Sequence, residues 1–525
     1  REWIFRCKNQ HPTCSHQGLA GSYLPSRVIE VGYPPRLYEP HGERAHYITL
    51  SHCWGTSQHF VTTSENIQNL RAEIPWTSLP KTFQDAILIT RNLRIRFLWI
   101  DSLCIIQDKR SDWELELAKM GDNYNKSFLT IAAASAMDDQ SGFLGPKETT
   151  SVRDLPPIPG LPAGLMVREV SEEAGSGRHA EFREPLYTRG WVLQERLLSP
   201  RILSFGSAEL RWDCNASTFT ETGHSPPEDT QITYRRDFFR IAANNSNSQP
   251  AAHKEHETSA IYEWWHQALV PAYTKLKLTK QDDKLPALSA IAEEVRLRTG
   301  DVYLAGLWKH DLHRGLLWMC KSSAGQPEQG CLPDRYRAPS WSWASIESSS
   351  IISEPVTPSL RFDARILDAR FEGPRANDPE RAASGYIRAE SLCFEATLEA
   401  SLASETSQGL NAPFSLLGPL MDSATWRFFP DVPLEAASFQ LNNGEIFTTL
   451  QRSNTNKHHL QLPVSGTVWC FLVTSFVNGR LGFMVLGRSS QQHDSFERLG
   501  LAKIHHLQFI PGWHEHIPRR ELVIL

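Results

Sequence analysis

From Tyr47 onward, short apolar runs alternate with stretches whose apolar residues recur every three to four positions. Tyr47 to Ser51 reads as a strand. Pro80 to Leu93 predicts a helix, with Pro in its first turn and Phe83, Ala86, Ile87 and Thr90 on one face. Phe97 to Asp101 is the next strand. Ser111 and Glu114 then form an S-x-x-E capping box, the signature of a helix start in which both side chains satisfy orphan N–H groups. Phe128 to Ala134 is a third strand, broken at Asp138 to Gly142. Gly190 to Leu197 is helical, and Arg201 to Phe205 and Glu209 to Cys214 are strand-like. Strands separated by single helices predict an α/β fold: a mostly parallel sheet with helices on both faces.

The texture divides the rest of the chain. Residues 1–45 form a Pro- and Gly-punctuated N-terminal extension, and 46–220 form the α/β domain. Residues 221–258, with Pro226-Pro227 and the polar run from Asn244 to Pro250, read as a linker or long loop. Within 259–330, Tyr262 to Leu276 and Leu285 to Leu297 are helical, the second with Pro286 near its start and Gly300 just past its end. Residues 331–525 read as β-rich: Phe362 to Ile366 alternates apolar and polar, and 386–398, 467–477 and 482–488 are further β runs.

Composition narrows the function classes. With 525 residues, 40% apolar, 16 Trp and 24 Phe, the chain supplies the burial that chain entropy demands, so wholesale disorder is excluded. A net charge of −5, from 54 basic and 59 acidic residues, gives no field for a phosphate backbone, and nucleic acid is not an expected partner. No apolar run approaches the ~18 residues of a membrane span, so no membrane partner is expected. Nine Cys without paired short spacing, with Cys104, Cys393 and Cys470 inside apolar strand-like runs, fit a reducing, cytoplasmic location. Without a secretory signal, the sequons at Asn125, Asn215 and Asn244 carry no weight. Cys7, His11, Cys14 and His16 are metal-ligand types, but their spacing matches no standard finger, and no metal is expected.

The sequence lacks G-x-G-x-x-G, G-x-x-x-x-G-K, H-E-x-x-H and G-x-S-x-G, which removes the main support for dehydrogenase, ATPase, zincin and lipase readings. It carries instead Y-I-T-L-S-H-C-W-G (47–55), L-P-K-T-F-Q-D-A-I (79–87) and F-L-W-I-D-S-L-C-I-I-Q-D (97–108). D-W-E-L-E (112–116), M-G-D-N-Y (120–124) and F-L-T-I-A-A-A-S (128–135) come next. In that order, these blocks resemble the fungal heterokaryon incompatibility (HET) domain. R-G-W-V-L-Q-E-R-L-L-S-P-R (189–201), Y-L-A-G-L-W (303–308) and A-P-S-W-S-W-A-S (338–345) resemble the downstream region of HET proteins.

The resemblance implies a role in fungal self/non-self recognition, where HET domains trigger cell death after incompatible hyphae fuse, with a recognition protein as partner. HET domains are distantly similar to TIR domains, some of which cleave NAD⁺ at the nicotinamide glycosidic bond. A TIR-like sheet, NAD⁺ as substrate and no resident cofactor are therefore implied. Tyr47 to Gly55 resembles the first TIR strand and its loop. Asp112 to Glu116 resembles the helix start where a Trp precedes the catalytic Glu, although Trp113 to Glu116 is a spacing of three and the TIR pattern has about four.

In an open α/β sheet, ligands bind beyond the carboxyl ends of the strands, where Ser51, His52, Asp101 and Ser102 fall. The helix near Asp112 directs its positive end to the same edge. On it Trp113, Leu117, Met120 and Tyr124 make one stripe; Glu114 is occupied by the capping box, which leaves Glu116 to face a cleft or to pair with a surface cation. Glu116 and Asp101 are thus the expected catalytic carboxylates, Asp101 alternatively a cap. Ser51, His52, Trp54, Gly55, Ser102 and Trp113 are the expected ligand contacts. His52 and Cys53 form no nucleophilic dyad, because neighbours on an extended chain face opposite ways, and Cys53 is expected to pack under Trp54. Arg189, Trp191, Gln194 and Glu195 read as a structural ion-pair helix closing the domain, and the tryptophans of 340–344 as core. Two other functions remain open: a non-enzymatic, self-associating signalling module, and a small-molecule enzyme of secondary metabolism on the same scaffold.

Overall fold

The computed structural model describes residues 1–15, 21–55, 60–145, 152–154, 166–168, 184–221, 223, 251–321, 328–349, 351–355, 360–373, 384–400, 414–418, 425–440, 446–453, 464–476, 480–489, 492, 494–505 and 513–525. The chain forms two compact units. The first holds Arg1–Gln249, Leu276–Leu278 and Ala287–Glu294; the second holds Pro250–Lys275, Thr279–Pro286 and Val295–Leu525.

In the first unit, helix α1 (Glu2–Gln10) precedes an eight-stranded sheet. Its strands are β1 (Val28–Glu30), β2 (Arg36–Tyr38), β3 (Tyr47–Ser51), β4 (Phe97–Trp99), β5 (Leu129–Ala132), β6 (Arg201–Phe205), β7 (Leu210–Cys214) and β8 (Thr218–Thr220). The spatial order is β8-β7-β6-β5-β3-β4-β1-β2. The inner four strands are parallel to one another, and all four outer pairings are antiparallel. The sheet is therefore mixed, not mostly parallel as the strand–helix alternation implied. The reason is local: β1–β2, β6–β7 and β7–β8 are joined by short connections, which close only antiparallel pairs, whereas parallel neighbours need a crossover.

Helices α2 (Lys81–Asn92), α3 (Asp101–Cys104), α4 (Arg110–Asn125) and α5 (Gly190–Leu198) complete the α/β unit. Helix α2 begins after Pro80 and buries Phe83, Ala86, Ile87 and Thr90, the stripe the sequence predicts. Two local expectations change. The strand from Phe97 stops at Trp99, so Asp101 opens a one-turn helix and Cys104 closes it. The capping box does not form: α4 starts at Arg110, ahead of Ser111, and its cap residue Lys109 makes no side-chain bond. Glu114 instead accepts from Arg110 Nε at 2.9 Å.

All five positions of β3 are buried, as a central parallel strand requires. Within it the Thr49 hydroxyl meets Thr130 at 2.7 Å, and Thr130 meets Ser199 at 2.6 Å, so these three buried hydroxyls satisfy one another. The chain leaves β3 for β4 on one side and then crosses to β5 on the other. Strand order thus reverses between β3 and β5, whose carboxyl ends, Ser51 and Ala132, are register partners. In open α/β sheets such a reversal is the place where ligands bind.

The second unit starts with the helix Ala251–Trp264, which continues through a π turn at Trp265–Leu269 into Val270–Tyr273. The expected linker 221–258 falls largely outside the described residues, as does Asn244. The C-terminal region is β-rich, as predicted. Its strands Ser384–Ala400, Val464–Phe476, Leu481–Arg488, Ser495–His505 and Arg519–Ile524 pair successively, and the last returns to the first, closing a ring. Phe394, Leu398, Val468, Leu472, Phe483 and Val485 belong to one buried cluster of this region. Trp341 and Trp343 are buried, which fits the core role expected of them. Arg498 and Asp431 form a fully buried ion pair, Nε to Oδ2 at 2.8 Å. Among the described residues, no helix is long and apolar enough to cross a membrane.

Candidate functional site

Three segments converge on the reversal point. β3 ends at Ser51 and continues as His52, Cys53 and Trp54; β4 delivers Asp101 and Ser102; and α5 carries Glu195, with Arg189 just before its start. Arg189 Nη1 donates to the His52 carbonyl at 2.7 Å, fixing the approach to α5 against the segment after β3. The Trp54 indole donates to Asp101 Oδ2 at 3.0 Å, and Asp101 Oδ1 accepts from the Ser102 N–H at 2.8 Å. The His52 Nδ1 lies 3.8 Å from Asp101 Oδ1, and its ring stacks on Trp54 and meets Phe83 edge-on. Asp101 is thus both a local cap and a member of the site.

Glu195 is the dominant electrostatic feature. It is 6% exposed, and burial together with the nearby Asp101 charge pushes its carboxyl up to about 7. The Ser51 and Tyr124 hydroxyls and the Arg189 guanidinium pull the other way by favouring the carboxylate. Neither Glu195 Oε2 nor Ser51 Oγ closes a hydrogen bond of normal geometry, and the buried Ser102 Oγ also lacks a partner. Several unsatisfied buried polar atoms in one place are unusual in a packed interior.

The expected carboxylate Glu116 lies on α4. It is 1% exposed, receives Lys119 Nζ at 3.2 Å on Oε1, and leaves Oε2 without a partner. Trp113 is half-buried on the same helix. Asp112 is held by Arg27 and by the Ile106 N–H at 2.9 Å. Gly55 has φ +83°, and a Cβ there would come 2.4 Å from Asp138 Cβ, so its requirement is backbone shape. Cys53 packs with Ala132, Leu186 and Val192, and burial pushes its thiol up against the pull of Arg189, which leaves it a poor nucleophile.

Ser51, His52, Trp54, Asp101 and Ser102 therefore come together, and the acid that joins them is Glu195. A sequence signal for it exists: Gln194, Glu195 and Arg196 interrupt an otherwise apolar helix, G-W-V-L-Q-E-R-L-L, and an apolar setting is where a carboxylate needs a reason.

A second cluster lies apart from this one in the same unit. Cys7, His11 and Cys14 meet Cys214 at the end of β7, with all four ligand atoms within 4.8 Å of one another. His16 lies outside the described residues. Proximity in sequence points to the wrong fourth residue.

Residues 47–195 match the family described as heterokaryon incompatibility protein (HET). No curated protein and no solved structure matches the chain. The matched span opens at the first residue of β3 and closes on Glu195, so it contains every residue of the strand-end cluster. The first unit of this protein thus carries a heterokaryon incompatibility (HET) domain over residues 47–195.

Proposed function

We propose that this heterokaryon incompatibility-type protein is a cell-death effector that cleaves NAD⁺ at the nicotinamide glycosidic bond, with Glu195 as the central acid. The observation that carries the reading is Glu195 itself: a buried carboxyl at the carboxyl ends of the strands, shifted to about 7 beside Asp101, with Oε2 closing no hydrogen bond of normal geometry. Trp191 and Glu195 also have the Trp-to-Glu spacing of four that the TIR pattern favours, which Trp113 and Glu116 lack.

Departure of neutral nicotinamide leaves positive charge on the ribose C1′. A fixed carboxylate beside it stabilises that oxocarbenium-like state and can bond the ribose hydroxyls. Water then adds to C1′ and loses a proton, for which a group titrating near neutrality is suited. Asp101, Ser51 and Ser102 orient the ribose, and Trp54 and His52 offer an aromatic face beside them.

Incubating the purified chain at high concentration with NAD⁺ and measuring nicotinamide by chromatography tests the reading. Release that disappears in Glu195→Gln supports it. No release from the folded wild-type chain, or undiminished release from Glu195→Gln, rejects it.

A further inference from the structure

We infer that Cys7, His11, Cys14 and Cys214 bind a structural zinc ion. The three thiols and one imidazole come from two distant parts of the chain: α1, the short helix Pro12–Ser15 and the residue between them, and the last position of β7. Their ligand atoms lie mutually within 4.8 Å, and Cys214 Sγ stands 3.4 Å from His11 Nδ1. Zinc bonds of about 2.3 Å to sulfur and about 2.0 Å to nitrogen, at tetrahedral angles, place sulfur and nitrogen about 3.6 Å apart and two sulfurs about 3.8 Å apart. The observed separations have this scale.

The surroundings hold the ligands in place. Cys7, Cys14 and Cys214 are at most 1% exposed, and all are free thiols. The His11 ring stacks on Phe219 of β8 at 6.1 Å between centroids. Buried Arg201 donates to the Cys14 carbonyl at 2.7 Å, and the Cys214 N–H donates to the Ser217 carbonyl at 3.0 Å. Three sulfurs and one imidazole select zinc over hard cations such as magnesium or calcium. Four protein ligands fill the tetrahedron and leave no open position, so the ion is structural and not catalytic. It joins the N-terminal helix to the β7–β8 hairpin at the edge of the sheet.

The full chain, purified under reducing conditions without a metal-binding tag and supplied with zinc, should contain about one zinc per chain by elemental mass spectrometry. Cys7→Ser, His11→Ala and Cys214→Ser should each reduce this to background. Because a variant can fail to fold, the wild-type chain is also reconstituted with Co²⁺. Tetrahedral d–d bands together with thiolate charge-transfer absorption are expected. Folded wild-type protein without zinc, wild-type zinc content in Cys214→Ser, cobalt spectra lacking thiolate bands, or a disulfide among the three cysteines in the reduced-purified protein would each overturn the assignment.

Discussion

Ser51 ends the central strand β3 with its hydroxyl beside the Glu195 carboxyl of α5, yet Ser51 Oγ and Glu195 Oε2 both stay without a formed hydrogen bond. A fold keeps such a pair at a cost, because a carboxyl raised from 4.5 to about 7 binds a proton in the native state that the unfolded state has released. The native state therefore loses stability as pH rises from 4.5 to about 7, by about 3 kcal/mol in all for this group. Glu195→Gln removes that loss. Urea unfolding at pH 5 and pH 8 should show the variant gaining on the wild type as pH rises, with little difference at pH 5.

The proposed function assigns the two buried acids different roles. Lys119 already pairs with Glu116, and the Lys119 side chain is 41% exposed, so Glu116→Gln leaves a cation that water can solvate. The expected change in stability is about 1 kcal/mol or less. Nicotinamide release and toxicity on expression should persist in Glu116→Gln and vanish in Glu195→Gln, read by the same chromatographic and growth assays.

In the second unit, Arg498 is bound by Asp431, the Leu316 carbonyl at 2.7 Å and the Trp318 carbonyl, with no exposure of either charge. Asp431→Ala leaves the guanidinium buried and uncompensated. The expected cost is about 3–5 kcal/mol, measured by denaturant unfolding. Replacing both residues by apolar ones of similar volume should cost less than the single change.

Helix α4 passes Ala290 so closely that a Cβ at Gly121 would come 2.2 Å from the Ala290 Cβ. Ala ordinarily stabilises a helix interior over Gly by roughly 0.5–1 kcal/mol. Here overpacking wins, and Gly121→Ala should destabilise by about 1–3 kcal/mol. Adding Ala290→Gly should recover most of it, a coupling that a double-mutant cycle reads directly.

Legibility in the sequence tracks the range of the interactions. Lys81–Asn92 is legible because burying one face imposes a period, and Tyr47–Ser51 and Gly190–Leu198 because an almost wholly buried element reads as a short apolar run. The cluster of Ser51, His52, Trp54, Asp101 and Ser102 is legible because parallel strands deliver their carboxyl ends to one edge. Glu195 does not stand out with them, since its partners are strand ends far earlier in the chain. Cys214 escapes for the same reason: ligand spacing is visible only when the turn between ligands is local. The capping box misleads because S-x-x-E specifies a cap only where the helix starts after the Ser, and Arg110 extends this helix past it.

The strand β6 that pairs with β5, the β7–β8 hairpin and the segment Ala287–Glu294 all lie after residue 195 and belong to the first unit. A truncation that stops at the matched span would strip β5 of its neighbour and bare a row of unpaired amides, the template on which polypeptides clump. Expression clones for this protein should run past residue 294, and an insoluble shorter fragment says nothing against the chemistry of the intact chain.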